Sequence, residues 1–220
     1  MSKRAAAPVD LRADREHARA LTPVSDDALA RLDQFVALLL DWQRKINLVA
    51  DSTLPNVWTR HVSDSLQLLP LAPGAETWID LGSGGGFPGL AVACTLAGTA
   101  GARVHLIESN GKKVAFLREA VRLTGAPAAV HNERIENFGD SFTGTADVVT
   151  ARALAPLTLL CAQAFPFIAK GAIGLFLKGQ DVEAELTEAA KYWKVGAELM
   201  PSLTSAEGSI LVVRTLRSIN

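Results

Sequence analysis

The alternation of hydrophobic and polar positions in this chain predicts a sheet built from strands separated by helices. Short apolar runs rich in β-branched residues have the length of buried strands, whereas apolar residues at spacings of three and four indicate helices. Five strands alternating with helices, then a closing hairpin, are typical of one α/β domain with a mostly parallel seven-stranded sheet. The first predicted strand begins at Trp78, the others cover residues 103–108, 128–132, 147–151, 171–177, 194–200 and 209–216, and helices are predicted at residues 110–124 and 181–193.

A helical region precedes the predicted sheet. Ser25 suits the N-cap of a helix, because its hydroxyl can accept a hydrogen bond from a backbone N–H of the first turn. Leu29, Leu32 and Val36 follow it at helical spacing, and a second helix is predicted over residues 55–69. The chain is therefore divided into a flexible N-terminal extension at residues 1–24, a helical region at residues 25–72 and the α/β domain at residues 73–220.

The segment after the first predicted strand is the most informative part of the sequence. Four glycines occur within residues 82–86, and Asp80 precedes them. Glycine has no Cβ, so the backbone N–H groups of such a turn and the N-terminus of the next helix can approach a ligand closely. Pro88 suits the first turn of that helix, because its missing N–H would have no partner there. The loop is typical of a site for a nucleotide-like cofactor.

Two cofactors fit these glycines. The spacing of Gly84, Gly86 and Gly89 matches the dinucleotide fingerprint, in which a pyrophosphate lies at the helix N-terminus. The spacing of Gly82, Gly84 and Gly86 instead resembles the first motif of Rossmann-like methyltransferases that use S-adenosylmethionine (AdoMet). Glu108, at the end of the second predicted strand, can accept hydrogen bonds from ribose hydroxyls in either case. These residues indicate nucleoside binding without selecting the cofactor.

An ordered set of motifs makes the resemblance more specific. The motifs are Trp42-x-x-x-x-Asn47-Leu48, Arg60-His61-Val62-Ser63-Asp64-Ser65, the glycine loop, Arg134-Ile135-Glu136, Ala151-Arg152-Ala153 and Lys178-Gly179. In this order, over residues 38–178, they resemble the bacterial small-subunit rRNA guanine-N7 methyltransferases, also called the glucose-inhibited division protein B family. Gly85 departs from the pattern, since relatives often carry alanine or proline there, and glycine is expected to fit.

The resemblance implies a Rossmann-like AdoMet-dependent methyltransferase and a role for each matching residue. The glycine loop would contact AdoMet, Glu108 would hold its ribose, and Arg152 would lie near its methionine end and the site of transfer. The polar residues ahead of the loop would contact the substrate. The implied cofactor-binding residues are Gly82, Gly84, Gly86, Phe87, Glu108, Ile135, Glu136 and Arg152, and the implied substrate-binding residues are Asn47, Arg60, His61 and Asp64.

The chemistry implied by the resemblance needs no general base. Guanine N7 carries a free lone pair at neutral pH, so transfer depends mainly on alignment of the reacting atoms and on charges around the moving positive charge. Arginine and lysine can donate hydrogen bonds to guanine O6, but the donor must leave N7 free. We therefore predict that Arg152 or Lys178 acts closest to the reaction, by orienting the base or a phosphate.

Composition limits the partners and the compartment. The 220 residues carry a net charge of −1, so RNA binding would depend on local clusters such as Lys112 and Lys113. Two cysteines provide neither a disulfide framework nor a metal site. No apolar run is long enough to cross a bilayer and no transit peptide is recognisable, so a cytoplasmic monomer without membrane contact is expected. The resemblance implies 16S rRNA in its decoding region as substrate, alone or within the 30S subunit.

Two other functions stay open at this point. An NAD-dependent oxidoreductase would use the same glycine loop, but it would need a substrate domain and an acid/base for hydride transfer, for which little chain remains. A ribosome-assembly factor without catalysis could retain the same fold. AdoMet binding without NAD binding would exclude the first alternative, and methyl transfer to RNA would exclude the second.

Overall fold

Seven strands form a single sheet in the computed structural model, which describes residues 10–219. Apolar side chains fill both faces of the parallel strands, as is typical of a parallel sheet covered by helices on each side. The strands are β1 (Thr77–Leu81), β2 (Arg103–Ile107), β3 (Ala128–His131), β4 (Val148–Arg152), β5 (Ile173–Lys178), β6 (Trp193–Pro201) and β7 (Ser209–Ser218).

The spatial order of the sheet is β3-β2-β1-β4-β5-β7-β6. The first five strands are parallel, β7 pairs antiparallel with β5, and β6 pairs antiparallel with β7 at the edge. The predicted α/β sheet with a closing hairpin is therefore confirmed. The order of connection reverses between β1 and β4, and open α/β sheets bind ligands in the crevice at the carboxyl ends of two such strands.

Helices cover both faces of this sheet. Among residues 10–219, no helix is both long enough and apolar enough to cross a membrane. The α-helices are α1 (Arg12–Leu21), α2 (Asp26–Gln43), α3 (Asp64–Leu66), α4 (Gly89–Leu96), α5 (Gly111–Thr124), α6 (Ile135–Ser141), α7 (Leu157–Ile168) and α8 (Val182–Ala189), with 3₁₀ turns at Asp51–Asn56 and Leu69–Leu71 and a π-helical turn at Trp58–Ser63.

Each face of the sheet has its own hydrophobic core. Trp78 of β1 packs in a cluster with Phe35 of α2 and Phe116 of α5. Its neighbour Ile79 packs in a second cluster with Phe138 of α6 on the opposite face. This separation follows from the strand geometry, because successive side chains of a strand point to opposite faces.

Local sequence signals correctly predict several helix ends. The Ser25 hydroxyl accepts a hydrogen bond from the backbone N–H of Ala28 at 3.2 Å, which caps α2. The Asn110 side chain accepts one from the N–H of Lys112 at 3.0 Å, which caps α5. Gly125 ends α5 with a φ of 62°, a left-handed conformation that glycine adopts without a Cβ clash. All three ends lie where the sequence predicts them.

Two predicted helices are wrong in extent. The helix predicted over residues 55–69 is broken into the π-helical turn and the single turn α3, and the Ser65 hydroxyl donates to the carbonyl of His61 at 2.6 Å in this stretch. The helix predicted over residues 181–193 ends at Ala189, because the chain turns there and Trp193 already pairs with β7. Strand pairing thus overrides the helical pattern.

The helix α1 is docked on the rest of the protein through Asp14. This carboxylate accepts hydrogen bonds from the backbone N–H groups of Trp58 at 2.8 Å and Thr59 at 3.2 Å, and from the Thr59 hydroxyl at 2.5 Å. Arg15 lies over the Trp58 ring and pairs with Asp33 at 2.6 Å. The prediction of a flexible extension is therefore wrong for residues 12–21, whereas residues 1–9 of that extension lie outside the described residues.

We expect Asp14→Ala to lower the free energy of unfolding by about 1–3 kcal/mol, because the backbone N–H groups at Trp58 and Thr59 would lose their charged acceptor. Urea denaturation followed by far-UV circular dichroism would measure the change. Asp41→Ala is the matched control, since Asp41 is exposed and lies 3.8 Å from Arg44. A midpoint for Asp14→Ala equal to that of the control would contradict this role.

Candidate functional site

A cavity of about 1070 Å³ opens at the carboxyl ends of β1, β4 and β5. The glycine loop after β1 forms one wall, and the helical region contributes residues 48–50 to another. The hairpin of β6 and β7 contributes residues from its connecting loop. The position agrees with the binding crevice expected where the strand order reverses. Of the predicted site residues, the lining includes Arg60, His61, Asp64, Gly82, Gly84, Phe87, Arg152 and Lys178.

Three glycines of the loop line this cavity, namely Gly82, Gly84 and Gly85. Gly82 and Gly84 have φ values of 68° and 52°, a region that residues with a Cβ rarely adopt. A Cβ built on Gly84 would meet no atom nearer than 3.6 Å, so this position faces open space. The loop is held in place by the N–H of Ser83, which donates to the carbonyl of Ile107 at 2.9 Å. Backbone atoms at these two glycines are therefore accessible to a ligand.

Gly86 does not line the cavity, and its assignment to the cofactor stays a prediction. It is buried, and its N–H already donates to the carbonyl of Ser83 at 2.7 Å. A Cβ at this position would lie 2.9 Å from the ring of Phe35. The glycine is needed because the loop turns directly against the core.

Gly85 fits its position, as predicted, for a reason the sequence does not reveal. A Cβ built there would lie 2.8 Å from the backbone carbonyl oxygen of Leu48. Backbone atoms cannot move aside as a flexible side chain can. The connection after α2 therefore approaches the glycine loop closely enough to require glycine in this structure.

Glu108 connects the loops that follow β1 and β2. One carboxylate oxygen accepts from the N–H of Gly84 at 3.0 Å, and the other accepts from the N–H of Asn110 at 2.7 Å. The residue is only 9% exposed and lies beside the cavity rather than in its lining. Each oxygen keeps a further lone pair, so the carboxylate can still accept hydrogen bonds from two hydroxyl groups.

Arg152 is the last residue of β4, rather than the first residue after it as predicted. Its Nη1 donates to the backbone carbonyl of Arg60 at 3.1 Å and lies 3.6 Å from the Asp64 carboxylate. The guanidinium also stands over the Phe87 ring, 5.4 Å from its centroid. Burial lowers the pKa of Arg152, and the charge of Asp64 opposes that shift. Arg152 thus joins the sheet to the helical region across the cavity.

His61 forms part of the cavity wall as a neutral ring. Its Nε2 lies 2.7 Å from the Thr53 hydroxyl, and the ring stacks on Phe87 with centroids 5.0 Å apart. Burial, followed by the charges of Arg152 and Arg60, lowers the pKa of His61 to about 3. At neutral pH this histidine is therefore uncharged and cannot attract a phosphate as a cation.

Lys178 lies in the cavity wall at the end of β5, where it forms an ion pair. Its Nζ is 2.6 Å from Oε2 of Glu185, and it also contacts the carbonyl oxygen of Ala155 at 3.4 Å. The lysine side chain is 9% exposed and that of Glu185 is 28% exposed. Glu185 is therefore the more exposed partner of this ion pair.

Besides Gly86 and Glu108, three predicted site residues lie outside the cavity lining. Asn47 is exposed, beside Leu48, which does line the cavity. Ile135 is buried as the first residue of α6. Glu136 is exposed and accepts a hydrogen bond from Gln163 at 2.8 Å. Their assignments to substrate and cofactor stay predictions.

The contacts that Asp64 and its neighbour Gln67 make with the β6–β7 loop were not predicted from the sequence. The Asp64 carboxylate accepts from Gln67 at 2.9 Å and from the Thr204 hydroxyl at 2.6 Å. Gln67 in turn accepts from the N–H of Leu203 at 2.8 Å. These bonds attach the β6–β7 loop to the helical region, and no local signal marks them because the partners are more than 130 residues apart. Lys113 also lines the cavity, next to Gly84.

Comparison with known proteins gives consistent matches over most of the chain. Residues 28–211 match the family model described as rRNA small subunit methyltransferase G. The chain is 57% identical over 209 residues to the ribosomal RNA small subunit methyltransferase G of Bradyrhizobium sp. (strain ORS 278), covering 95% of this chain and 94% of that relative. It is 57% identical over 199 residues to the protein of the same name from Nitrobacter hamburgensis, covering 90% of this chain and 76% of that relative.

A solved structure supports the fold independently. The O-methyltransferase from Bacillus cereus, in complex with SAH, has a TM-score of 0.61 to this chain at 14% identity. The match covers 91% of this chain and 96% of that one. At such low identity the likeness shows a shared fold.

Proposed function

This chain belongs to the rRNA small subunit methyltransferase G family, and from that membership we infer that it methylates N7 of a guanosine in the decoding region of 16S rRNA. It is an AdoMet-dependent methyltransferase, so the oxidoreductase alternative falls away. The observation that carries the proposal is that the glycine loop, Arg152 and Lys178 line one cavity. The loop expected to bind the cofactor and the two cationic side chains therefore line the same cavity, which could also admit an RNA base.

The cavity fits AdoMet at its glycine side. AdoMet supplies an electrophilic methyl group on a sulfonium when it is bound. We propose that the backbone of Gly82 and Gly84 receives the cofactor, since both line the cavity and Gly84 faces open space, and that the spare lone pairs of Glu108 accept its ribose hydroxyls. Because β2 and β3 are neighbours, Ile135 and Glu136 would then flank the adenine beyond Glu108.

The opposite side of the cavity suits an RNA base. We propose that Arg152 and Lys178 orient the guanine so that N7 faces the methyl group. The rate would then depend mainly on alignment of the reacting atoms and on the charges around them. No proton has to leave N7, so the neutral His61 is not needed as a base. Arg60 and Asp64 would contact the RNA nearby, together with Asn47 at the edge of the cavity.

We further propose that the protein acts in the cytoplasm, as a monomer, on the 30S subunit. Ribosomal proteins and the shape of the RNA would there compensate for its weak net charge.

The test is methyl transfer from labelled AdoMet to 30S subunits taken from cells that lack this protein. Nucleoside analysis and primer extension would identify the product and its position. We expect N7-methylguanosine at a single site of 16S rRNA. Transfer to naked 16S rRNA but not to 30S would correct the substrate, and measurable AdoMet binding without transfer to either would favour the assembly-factor alternative.

We expect Glu108→Ala to weaken AdoMet binding by about ten- to a hundredfold, because hydrogen bonds to a charged acceptor contribute roughly 1.5–3 kcal/mol. Isothermal titration calorimetry would measure the dissociation constant. Asp140→Ala is the matched control, since Asp140 is an exposed carboxylate on α6 outside the cavity lining. An unchanged dissociation constant for a folded Glu108→Ala variant would rule out the ribose assignment.

A further inference from the structure

The cavity wall on the β5 side carries a hydrogen-bond donor next to an acceptor, in the ion pair of Lys178 and Glu185. Glu185 Oε2 is saturated, because it accepts from Lys178 Nζ at 2.6 Å and from the backbone N–H of Leu157 at 2.7 Å. Glu185 Oε1 has no hydrogen-bond partner within residues 10–219, although the residue lines the cavity. The pair therefore offers the cavity one free acceptor oxygen, with the ammonium group close beside it.

The position of this pair relative to the cofactor loop follows from the sheet. Arg152 pairs with Leu177 across β4 and β5, so Lys178 is one residue further along, at the carboxyl end of β5. The glycine loop and Glu108 follow β1 and β2, on the other side of the point where the strand order reverses. A cofactor held by the glycine loop thus leaves the half of the cavity at β4 and β5 for the acceptor base.

The chemistry of the pair matches one edge of guanine. Enzymes that modify a base commonly read it in a pocket through hydrogen bonds to its Watson–Crick edge. On that edge guanine presents the acceptor O6 next to the donor N1–H, whereas adenine presents a donor amino group next to the acceptor N1. Lys178 can donate to O6, and Glu185 Oε1 can accept from N1–H. N7 lies on the other side of O6 and stays free for methylation.

We propose that Glu185, together with Lys178, selects guanine by binding its O6 and N1–H groups. This inference rests on the proposed function, and it assigns Glu185 as a specificity-determining residue of the same site. An isolated structural role would be to fasten α8 to the start of α7 through Leu157. That role would use Oε2 alone, whereas Oε1 belongs to a residue that lines the cavity and has no partner within residues 10–219.

Base analogues at the methylated position test the proposal without changing the protein. Ligated 16S rRNA would carry guanosine, inosine or 2-aminopurine at that position, and each RNA would be assembled into 30S subunits. Inosine keeps O6 and N1–H, whereas 2-aminopurine lacks both and keeps N7. We expect inosine to be methylated nearly as fast as guanosine, and 2-aminopurine to lose about ten- to a hundredfold in kcat/KM. Equal rates for 2-aminopurine and guanosine would overturn the proposal.

Glu185→Gln tests the residue itself. The amide oxygen would take over the hydrogen bonds of Oε2, so the NH₂ group would face N1–H and oppose it. We expect kcat/KM to fall about tenfold or more for guanosine and inosine but not for 2-aminopurine, with the dissociation constant for AdoMet unchanged. Glu188→Gln is the matched control on α8, since Glu188 is exposed and pairs with Lys191. It should leave all three rates as they are.

The outcomes separate this proposal from the proposed function. Equal losses on all three bases in Glu185→Gln would show a structural role and overturn the inference, while transfer to guanosine by the unaltered protein would leave the function intact. If the unaltered protein transfers no methyl group to guanosine, the proposed function fails, and the selection of guanine fails with it. A smaller ratio of kcat/KM for guanosine to kcat/KM for 2-aminopurine in Glu185→Gln supports both the selection of guanine by Glu185 and the proposed function.

Discussion

Arg152→Ala is expected to lower kcat/KM for methyl transfer to 30S subunits by at least about a hundredfold, while the protein stays folded. Removing one preorganised donor from a reaction site typically costs this much. The guanidinium stands over the Phe87 ring and lies 3.6 Å from the Asp64 carboxylate, and it donates to the backbone carbonyl of Arg60. Its loss would remove a charge that orients the RNA and would release the segment that carries the predicted substrate contacts.

Steady-state transfer from labelled AdoMet measures this effect, and calorimetry separates it from cofactor binding. Arg214→Ala is the matched control, because Arg214 is exposed and pairs with Glu198 at the sheet edge. Arg152→Lys should fall between the two, since it keeps the charge but not the planar fork that reaches two acceptors. A near-normal rate for Arg152→Ala would show that the residue has no part in transfer.

The position of Arg152 could be predicted because sheet topology obeys general rules. A buried strand followed by an arginine, in a chain of alternating strands and helices, places that arginine at the ligand-binding edge. The glycine loop could be predicted for a similar reason, since the positive φ values at Gly82 and Gly84 favour glycine. In both cases the determining interactions lie within a few residues of the motif.

The remaining parts of the site depend on contacts between distant segments. The sequence predicts a substrate contact for Asp64 but not that its carboxylate also binds Thr204 of the hairpin loop and pairs with Arg152. The docking of α1 depends likewise on Asp14 reaching Trp58. A helical pattern predicts that a carboxylate such as Asp14 or Asp64 is an exposed charge. Its hydrogen-bond donors come from distant segments of the chain, so the local sequence does not indicate them.

The buried carboxyl group of Asp80 is expected to make the free energy of unfolding depend on pH. The residue is buried at the end of β1, where one oxygen accepts from the Thr150 hydroxyl at 2.8 Å. The other oxygen has no hydrogen-bond partner among residues 10–219 and lies where a Cβ on Gly89 would collide with it. Burial raises the pKa of Asp80 from 3.8 to about 6, against the opposing hydrogen bonds and the charge of Arg152. The fold therefore favours the protonated form of this carboxyl group.

The direction of the pH effect follows from that shift. A group whose pKa is higher in the folded state contributes stability fully below its unfolded pKa, near pH 4, and loses it as the pH rises through about 6. A shift of this size corresponds to about 3 kcal/mol. In Asp80→Asn this titration is absent, so the free energy of unfolding of the wild type relative to the variant should fall by about 3 kcal/mol between pH 4 and pH 8.

Urea denaturation of both proteins across this range measures the difference, and other titrating groups cancel because they are common to both. Asp140→Asn, an exposed change, should run parallel to the wild type. Parallel curves for Asp80→Asn as well would mean that the buried carboxyl group does not titrate in this window. Since the charge of Arg152 opposes the rise in the pKa of Asp80, Arg152→Ala should move the window to higher pH. That shift would measure the interaction between the charges of Arg152 and Asp80.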